Sequence, residues 1–255
     1  MRKDFESPLY RKSRVAARLI LKARSGRPLS PRQRQLAAAL AITVAWVDQK
    51  RDGYDVTMVQ EPLTSLKDDV AATKRILDLQ TGPCILVGHS YGGSIITEAG
   101  IDRHVIGLVD VAAHAPDVGE DEGALGKRMP SATQKQEGAV KKTADGFTFL
   151  APSDFYKDFA ADLPSEQAEF ESRSEILTAA KVFTAPMTAA AWKTKPSWAI
   201  VAAADRIINP DLERWYDTRA HSHTIELDGA SHSVYESRPK EVAAVIEDAA
   251  QKAQN

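Results

Sequence analysis

The alternation of apolar and polar residues changes rhythm along the chain, and the changes separate strands from helices. Residues 53–60 (Gly-Tyr-Asp-Val-Thr-Met-Val-Gln) alternate and are rich in β-formers, which predicts a strand ended by Glu61-Pro62. Ser65 is placed to cap a helix over residues 66 to about 79, with Asp68 and Asp69 complementing the positive end of its dipole. Residues 84–87, Cys-Ile-Leu-Val, form a continuous apolar run opened by Gly82-Pro83, the mark of a buried strand. From Ser90 the spacing turns helical, with Ile95, Ile96 and Ala99 on one face, and residues 105–111 return to a strand. The sheet resumes at residues 197–202, a helix opens at Asn209-Pro210 and runs to about Arg219, and residues 223–227 give the last strand. Residues 239–251 close as an amphipathic helix with Val242, Val245 and Ile246 inward. Strands and helices in alternation predict an α/β protein built on a mostly parallel sheet.

Two stretches break the rhythm. Residues 117–195 carry an acidic segment (117–122), a polar one (138–146) and a charged amphipathic pattern over 165–181 that predicts a helix. Phe147, Phe149, Phe155, Tyr156, Phe159, Phe170, Phe183 and Trp192 also fall there, so the stretch is an inserted, mostly helical lid rather than a linker. Its aromatic residues suit either an acyl pocket or a small core of the lid's own. The other break is at the start. Residues 1–34 are basic, are interrupted by Pro8, Pro28 and Pro31, and show little apolar periodicity beyond residues 15–21. A 12-residue apolar run follows at 36–47, which reads as a buried or amphipathic helix; preceded by Arg and Gln, it also has the look of an export signal set too far from Met1.

Composition narrows the classes. A chain of 255 residues with 43% apolar content suits one large domain, here an atypical basic segment (1–50) followed by a core domain (51–255). The net charge of −2 gives no reason to expect a nucleic-acid partner. It conceals an asymmetry: residues 1–34 hold eleven Lys or Arg against Asp4 and Glu6, a balance of +9, which leaves −11 for the rest. The single cysteine, Cys84, excludes an intramolecular disulfide and sits where a buried, inert thiol belongs. No apolar run reaches the roughly 18 residues that a membrane span needs.

Chemistry concentrates between two of these elements. Gly88-His89-Ser90-Tyr91-Gly92-Gly93 joins a buried strand to a helix within about two residues and fits Gly-x-Ser-x-Gly, the nucleophile elbow. Such a turn strains the backbone at Ser90, lifts its hydroxyl clear of the sheet and sets it at the positive end of a helix. A serine hydroxyl is a weak nucleophile until a base takes its proton and an acid orients that base. Asp205 and His232 supply those types in the order Ser, Asp, His, each in a loop just after a strand, hence at the sheet edge that holds Ser90. Asp211 and Asp228 compete for the acid's place, His221 and His223 for the base's. The N–H of Tyr91 is the first donor for an oxyanion; His89 and His114 are candidates to line the site, with ordinary packing as the plainer account of both. No zinc spacing and no phosphate loop is present.

Taken together, residues 53 to about 250 resemble the α/β-hydrolase superfamily, in particular a bacterial subgroup of small esterases similar to plant esterases and hydroxynitrile lyases. The resemblance is carried by residues 53–66, by Gly-His-Ser-Tyr-Gly-Gly at 88–93, by Asp205-Arg-Ile-Ile-Asn-Pro-Asp-Leu-Glu-Arg and by Ser231-His232. It implies the α/β-hydrolase fold with an inserted helical lid (about 117–195), and hydrolysis of a small-molecule ester through an acyl-enzyme. In that reading Ser90 is the nucleophile, His232 the base and Asp205 its orienting acid, with no metal or organic cofactor. The departure lies in residues 1–50. Members of the family begin with a strand and a His-Gly loop that gives the second oxyanion donor, whereas these residues hold no His and only Gly26. They read as though translated from another frame or replaced, which leaves an open sheet edge beside the elbow strand.

Two rivals to a carboxylesterase remain at this level. One is carbon–carbon lyase chemistry on the same three residues, which in the relatives needs a cation beside the histidine, where this chain has Ser233. The other is a catalytically impaired homologue. Cytoplasmic location is the expectation, with export as the alternative; the oligomeric state is not legible.

Overall fold

A computed structural model describes residues 18–21 and 54–253 of the chain. The apolar run at 36–47, Trp46, Gly26 and most of the basic segment lie outside the described residues. A six-stranded sheet in the order β2-β1-β3-β4-β8-β9 forms the centre. Its strands are β1 (Arg18–Leu21), β2 (Val56–Val59), β3 (Cys84–Ser90), β4 (Val105–Ala113), β8 (Ser197–Ala202) and β9 (His223–Leu227). β3, β4, β8 and β9 pair in parallel, and the register sets Leu86 beside Leu108, and Val111 beside Ile200. Strands buried on both faces need continuous apolar text, and Cys84, Ile85, Leu86, Val87, Leu108, Val109, Ile200 and Val201 supply it.

β1 is the difference from expectation. In place of an open edge, the backbone of Arg18–Leu21 fills the position between β2 and β3, antiparallel to both. Since β2 and β3 each oppose β1, every described strand of this sheet except β1 runs the same way.

Helices cover both faces. Helix α1 (Leu66–Leu77) begins at Ser65, whose Oγ accepts the Asp68 N–H at 3.1 Å, as the sequence predicts. Helix α2 (Gly92–Ala99) follows the elbow and packs on α1 and β3. Helix α7 (Pro239–Lys252) lies on the other face, where Val242, Val245 and Ile246 are buried and Trp198 Nε1 donates to Asp248 at 2.9 Å. Gly93 decides how closely α2 meets β4: a Cβ there would stand 2.0 Å from the His114 carbonyl oxygen and 2.9 Å from Asp110 Oδ1.

The insertion between β4 and β8 holds α3 (Glu122–Arg128), α4 (Pro152–Phe159) and α5 (Ser165–Ser172), together with a small sheet of β5 (Val140–Lys142), β6 (Phe147–Leu150) and β7 (Thr178–Ala179). It is mostly helical, as expected, with this small sheet added. The helix expected over 165–181 stops at Ser172. There Ser172 Oγ donates to the Glu169 carbonyl at 2.7 Å and Ser174 Oγ to that of Glu171 at 3.3 Å, competing for the acceptors a continuing helix would use. Leu150, Phe155, Leu163 and Ala168 make a core of the insertion's own.

Candidate active site

Ser90 ends β3 with φ at 55°, a left-handed conformation that costs a non-glycine residue about 1–2 kcal/mol. The neighbouring chain makes it tolerable: a Cβ on Gly88 would collide with the Gly92 carbonyl at 2.5 Å, so only glycine lets the strand fold back on the new helix. The Ser90 carbonyl accepts the His114 N–H at 3.2 Å, and Ser90 stands beside Ala113 in register. This pins the elbow to the end of β4. Tyr91 opens α2, where the first N–H groups have no partner four residues back. Its ring packs on Phe183, and its hydroxyl donates to Asp69 Oδ2 at 2.8 Å.

Asp205 follows β8 and His232 follows β9, and parallel pairing of those strands brings their loops together: Ala204 N–H donates to the Ala230 carbonyl at 3.0 Å. The Asp205 carboxylate is fully used. Oδ1 accepts the N–H groups of Ile207 and Ile208 at 2.7 and 3.0 Å, and Oδ2 lies 2.5 Å from His232 Nδ1. Both side chains are 0% exposed. With Nδ1 donating to a carboxylate, Nε2 of the neutral ring is the basic atom, and among the described residues it has no hydrogen-bond partner. No hydrogen bond joins it to Ser90 Oγ in this structure, a looseness usual for such sites without substrate. Asp211, by contrast, is exposed and paired with Arg214, and Asp228 is exposed. His221 caps a helix with a left-handed backbone, and His223, on the outer strand, meets Trp198 in a tilted ring contact. Among the described residues no cluster of His, Cys, Asp or Glu could hold a metal ion.

His89 and His114 occupy different places. His89 is packed rather than facing the cavity: its ring centroid is 4.5 Å from that of His232 and 4.4 Å from that of Tyr235. Its Nε2 lies 2.9 Å from the His232 carbonyl, which can only accept, so Nε2 carries the proton. His114 lines a cavity of about 360 Å³ together with Ser90 and Tyr91. Phe149, Phe159, Phe183, Leu150, Ile207 and Ile208 give that cavity apolar walls. The insertion thus supplies both a core and a pocket lining.

Several contacts at the site carry no sequence signal of their own. Phe159 sets its ring 4.6 Å from that of His232, and its carbonyl accepts from Ser233 N–H at 2.9 Å and Ser231 Oγ at 3.2 Å, so the insertion grips the histidine loop. Glu122, in the acidic stretch that opens the insertion, accepts from Ser94 Oγ and lies 3.6 Å from His114 Nε2. Glu213, on helix α6 (Pro210–Ala220), accepts the Ala202 N–H at 3.1 Å. Burial, with the negative Asp205 next, pushes its carboxyl well above the usual range. Burial also raises the Cys84 thiol to about 12, which keeps it inert.

The sequence matches the model of the alpha/beta hydrolase family over residues 14–245. No curated protein matches it. Among solved structures the fold is similar to that of a methylesterase protein from Arabidopsis, with 16% identity, a TM-score of 0.66, and 84% of this chain and 94% of that one covered. A pyrethroid hydrolase from Sphingobium faniae shares 19% identity at a TM-score of 0.67, covering 83% and 90% of the two chains. Polyneuridine aldehyde esterase shares 15% at 0.64, covering 80% and 93%.

Proposed function

The chain belongs to the alpha/beta hydrolase family, and from that premise we propose that it is a serine carboxylesterase cleaving small or medium carboxylic esters through an acyl-enzyme on Ser90. The observation that carries this reading is the buried Asp205–His232 pair, whose Nε2 has no partner, at the same sheet edge as the positive-φ Ser90. The esterase and hydrolase activities named for the similar folds support an ester as the substrate class.

In this mechanism the ester enters the apolar cavity with its carbonyl carbon over Ser90 Oγ. As Oγ attacks, its proton passes to His232 Nε2, and Asp205 holds Nδ1–H and stabilises the imidazolium that forms. The Tyr91 N–H, at the positive end of α2, hydrogen-bonds the new oxyanion. Collapse of the tetrahedral species breaks the bond to the alkoxy oxygen, which leaves as the alcohol after taking the proton from His232. Water then attacks the acyl-enzyme with His232 again as base, and releases the acid and Ser90. None of the described residues lining the cavity is Lys or Arg, which favours hydrolysis over a lyase reaction that relies on a cation.

Hydrolysis of a short-chain p-nitrophenyl ester by the purified protein, beside Ser90→Ala, tests the reading. Activity in the wild type that disappears in the variant, with matching circular dichroism, is the expected result. A folded wild type without activity would leave the impaired homologue as the better account.

A further inference from the structure

The cavity that holds Ser90 has one wall feature that ester cleavage itself does not use. His114 follows β4, and its N–H donates to the Ser90 carbonyl, so its backbone lies one strand spacing, about 5 Å, from the nucleophile. Its side chain is 13% exposed and borders the cavity, whose lining joins phenylalanines and aliphatic residues to Gln134, Thr148, Glu175 and Asn209. Nδ1 is 3.2 Å from Tyr216 Oη, within a T-shaped ring contact at 5.8 Å that fixes the imidazole plane. Nε2 makes no hydrogen bond to a described residue; its nearest charged neighbour is Glu122 Oε2 at 3.6 Å, beyond hydrogen-bond reach. An imidazole held by one nitrogen, with the other at a cavity wall, presents a polar contact beside the nucleophile. Such a contact is what fixes orientation in ligand sites of this size.

On the reading of the site as an esterase, we propose that His114 Nε2 hydrogen-bonds a second oxygen function of the substrate, so that the preferred substrates are esters carrying a hydroxyl, oxo or ether oxygen within about three atoms of the scissile carbonyl. Burial, with His232 next, holds the imidazole down to about 3. His114 is therefore neutral throughout the working range and recognises a dipole rather than an anion. The preference then has no titration of its own near neutral pH.

The test uses matched pairs of esters: methyl 3-hydroxybutanoate against methyl butanoate, and 2-methoxyethyl butanoate against butyl butanoate. The wild type is expected to prefer the oxygenated member of at least one pair by about 10-fold in kcat/KM, the scale of one hydrogen bond between neutral groups. His114→Phe is expected to bring that ratio to about one, and His114→Gln, which keeps an N–H, to retain part of it. Absence of any preference in the wild type, or a preference that survives His114→Phe, would overturn the proposal. Calorimetric binding of the same pairs to Ser90→Ala separates this outcome from failure of the esterase reading. Discrimination in binding without turnover in the wild type would sink the esterase and leave the contact standing.

Discussion

The elbow strand β3 has two unlike flanks. On one side β4, β8 and β9 run parallel to it; on the other β1 runs against it, with Leu19 beside Val87 and Ile20 beside Leu86. A parallel neighbour delivers the loop that follows it to the same edge as the elbow. Ala113 and His114 arrive that way from β4, Asp205 from β8 and His232 from β9. An antiparallel neighbour reverses this. The end of β1 that reaches the elbow edge is Arg18, and whatever follows Leu21 starts from the opposite edge. The difference explains why every candidate catalytic side chain comes from one side of Ser90, and why β1 cannot play the part of a strand followed by an oxyanion loop. The parallel flank holds the candidate site, and the antiparallel one completes the sheet.

The sharpest way to break that comparison is at the acid. Asp205→Asn keeps the shape of the side chain and removes the charge that orients His232, so kcat/KM for an ester is expected to fall about 10,000-fold. His232→Ala is expected to fall at least as far, and the double variant little further, because the two act as a unit. Steady-state kinetics on samples of equal helical content decide it. A loss under about 10-fold in Asp205→Asn would mean that Asp205 is a structural cap for Ile207 and Ile208 and not part of the machinery.

On the antiparallel flank the expected effect is on stability rather than chemistry. Ile20 lies in the ladder to both Thr57 and Leu86, and proline there removes a ladder donor and forces φ. Ile20→Pro is expected to cost about 3 kcal/mol, roughly 10 °C in Tm for a domain of this size. Turnover per folded molecule should fall far less than in Asp205→Asn. An unchanged Tm would remove β1 from the sheet's architecture, and a folded variant as inactive as Asp205→Asn would show that β1 does position the site.

The same contrast describes what can be read from the sequence. The parallel flank is legible because its strands β4 and β8 are runs of buried apolar residues and the helix after β8 carries a cap at Asn209. Ser90, Asp205 and His232 stand out by type and chain order, and the fold sets them all at one edge. β1 is not legible: Arg-Leu-Ile-Leu is four residues long, has no alternation, and owes its place to the gap between β2 and β3. In the insertion, the exposed Val140–Lys142 strand has no pattern to recognise. The charged text after Ser165 hides the serines that end α5. Phe159, Glu122 and His114 meet at the cavity through tertiary contacts alone, and no local periodicity encodes these.

The smallest expected effect distinguishes the flanks by pH. Beneath the parallel strands, burial raises the Asp217 carboxyl to about 7, against a modest lowering by the Thr224 hydroxyl. Burial, with Asp217 next, pushes Asp110 well above the usual range. Between the ordinary aspartate value of about 4 and 7, the folded chain holds a proton at Asp217 that the unfolded chain has released. Stability from this group is therefore full below about pH 4, falls as pH rises to 7, and is level above that. Asp217→Asn cannot ionise, so its Tm relative to the wild type is expected to rise by a few degrees between pH 4 and pH 7.5 and then to stay constant. The penalty of Ile20→Pro, which touches only backbone, should show no such trend. Parallel pH dependence of Asp217→Asn and the wild type would mean that water reaches the carboxyl, and that the buried acids under β4 and β8 place no pH limit on the flank that holds the candidate site.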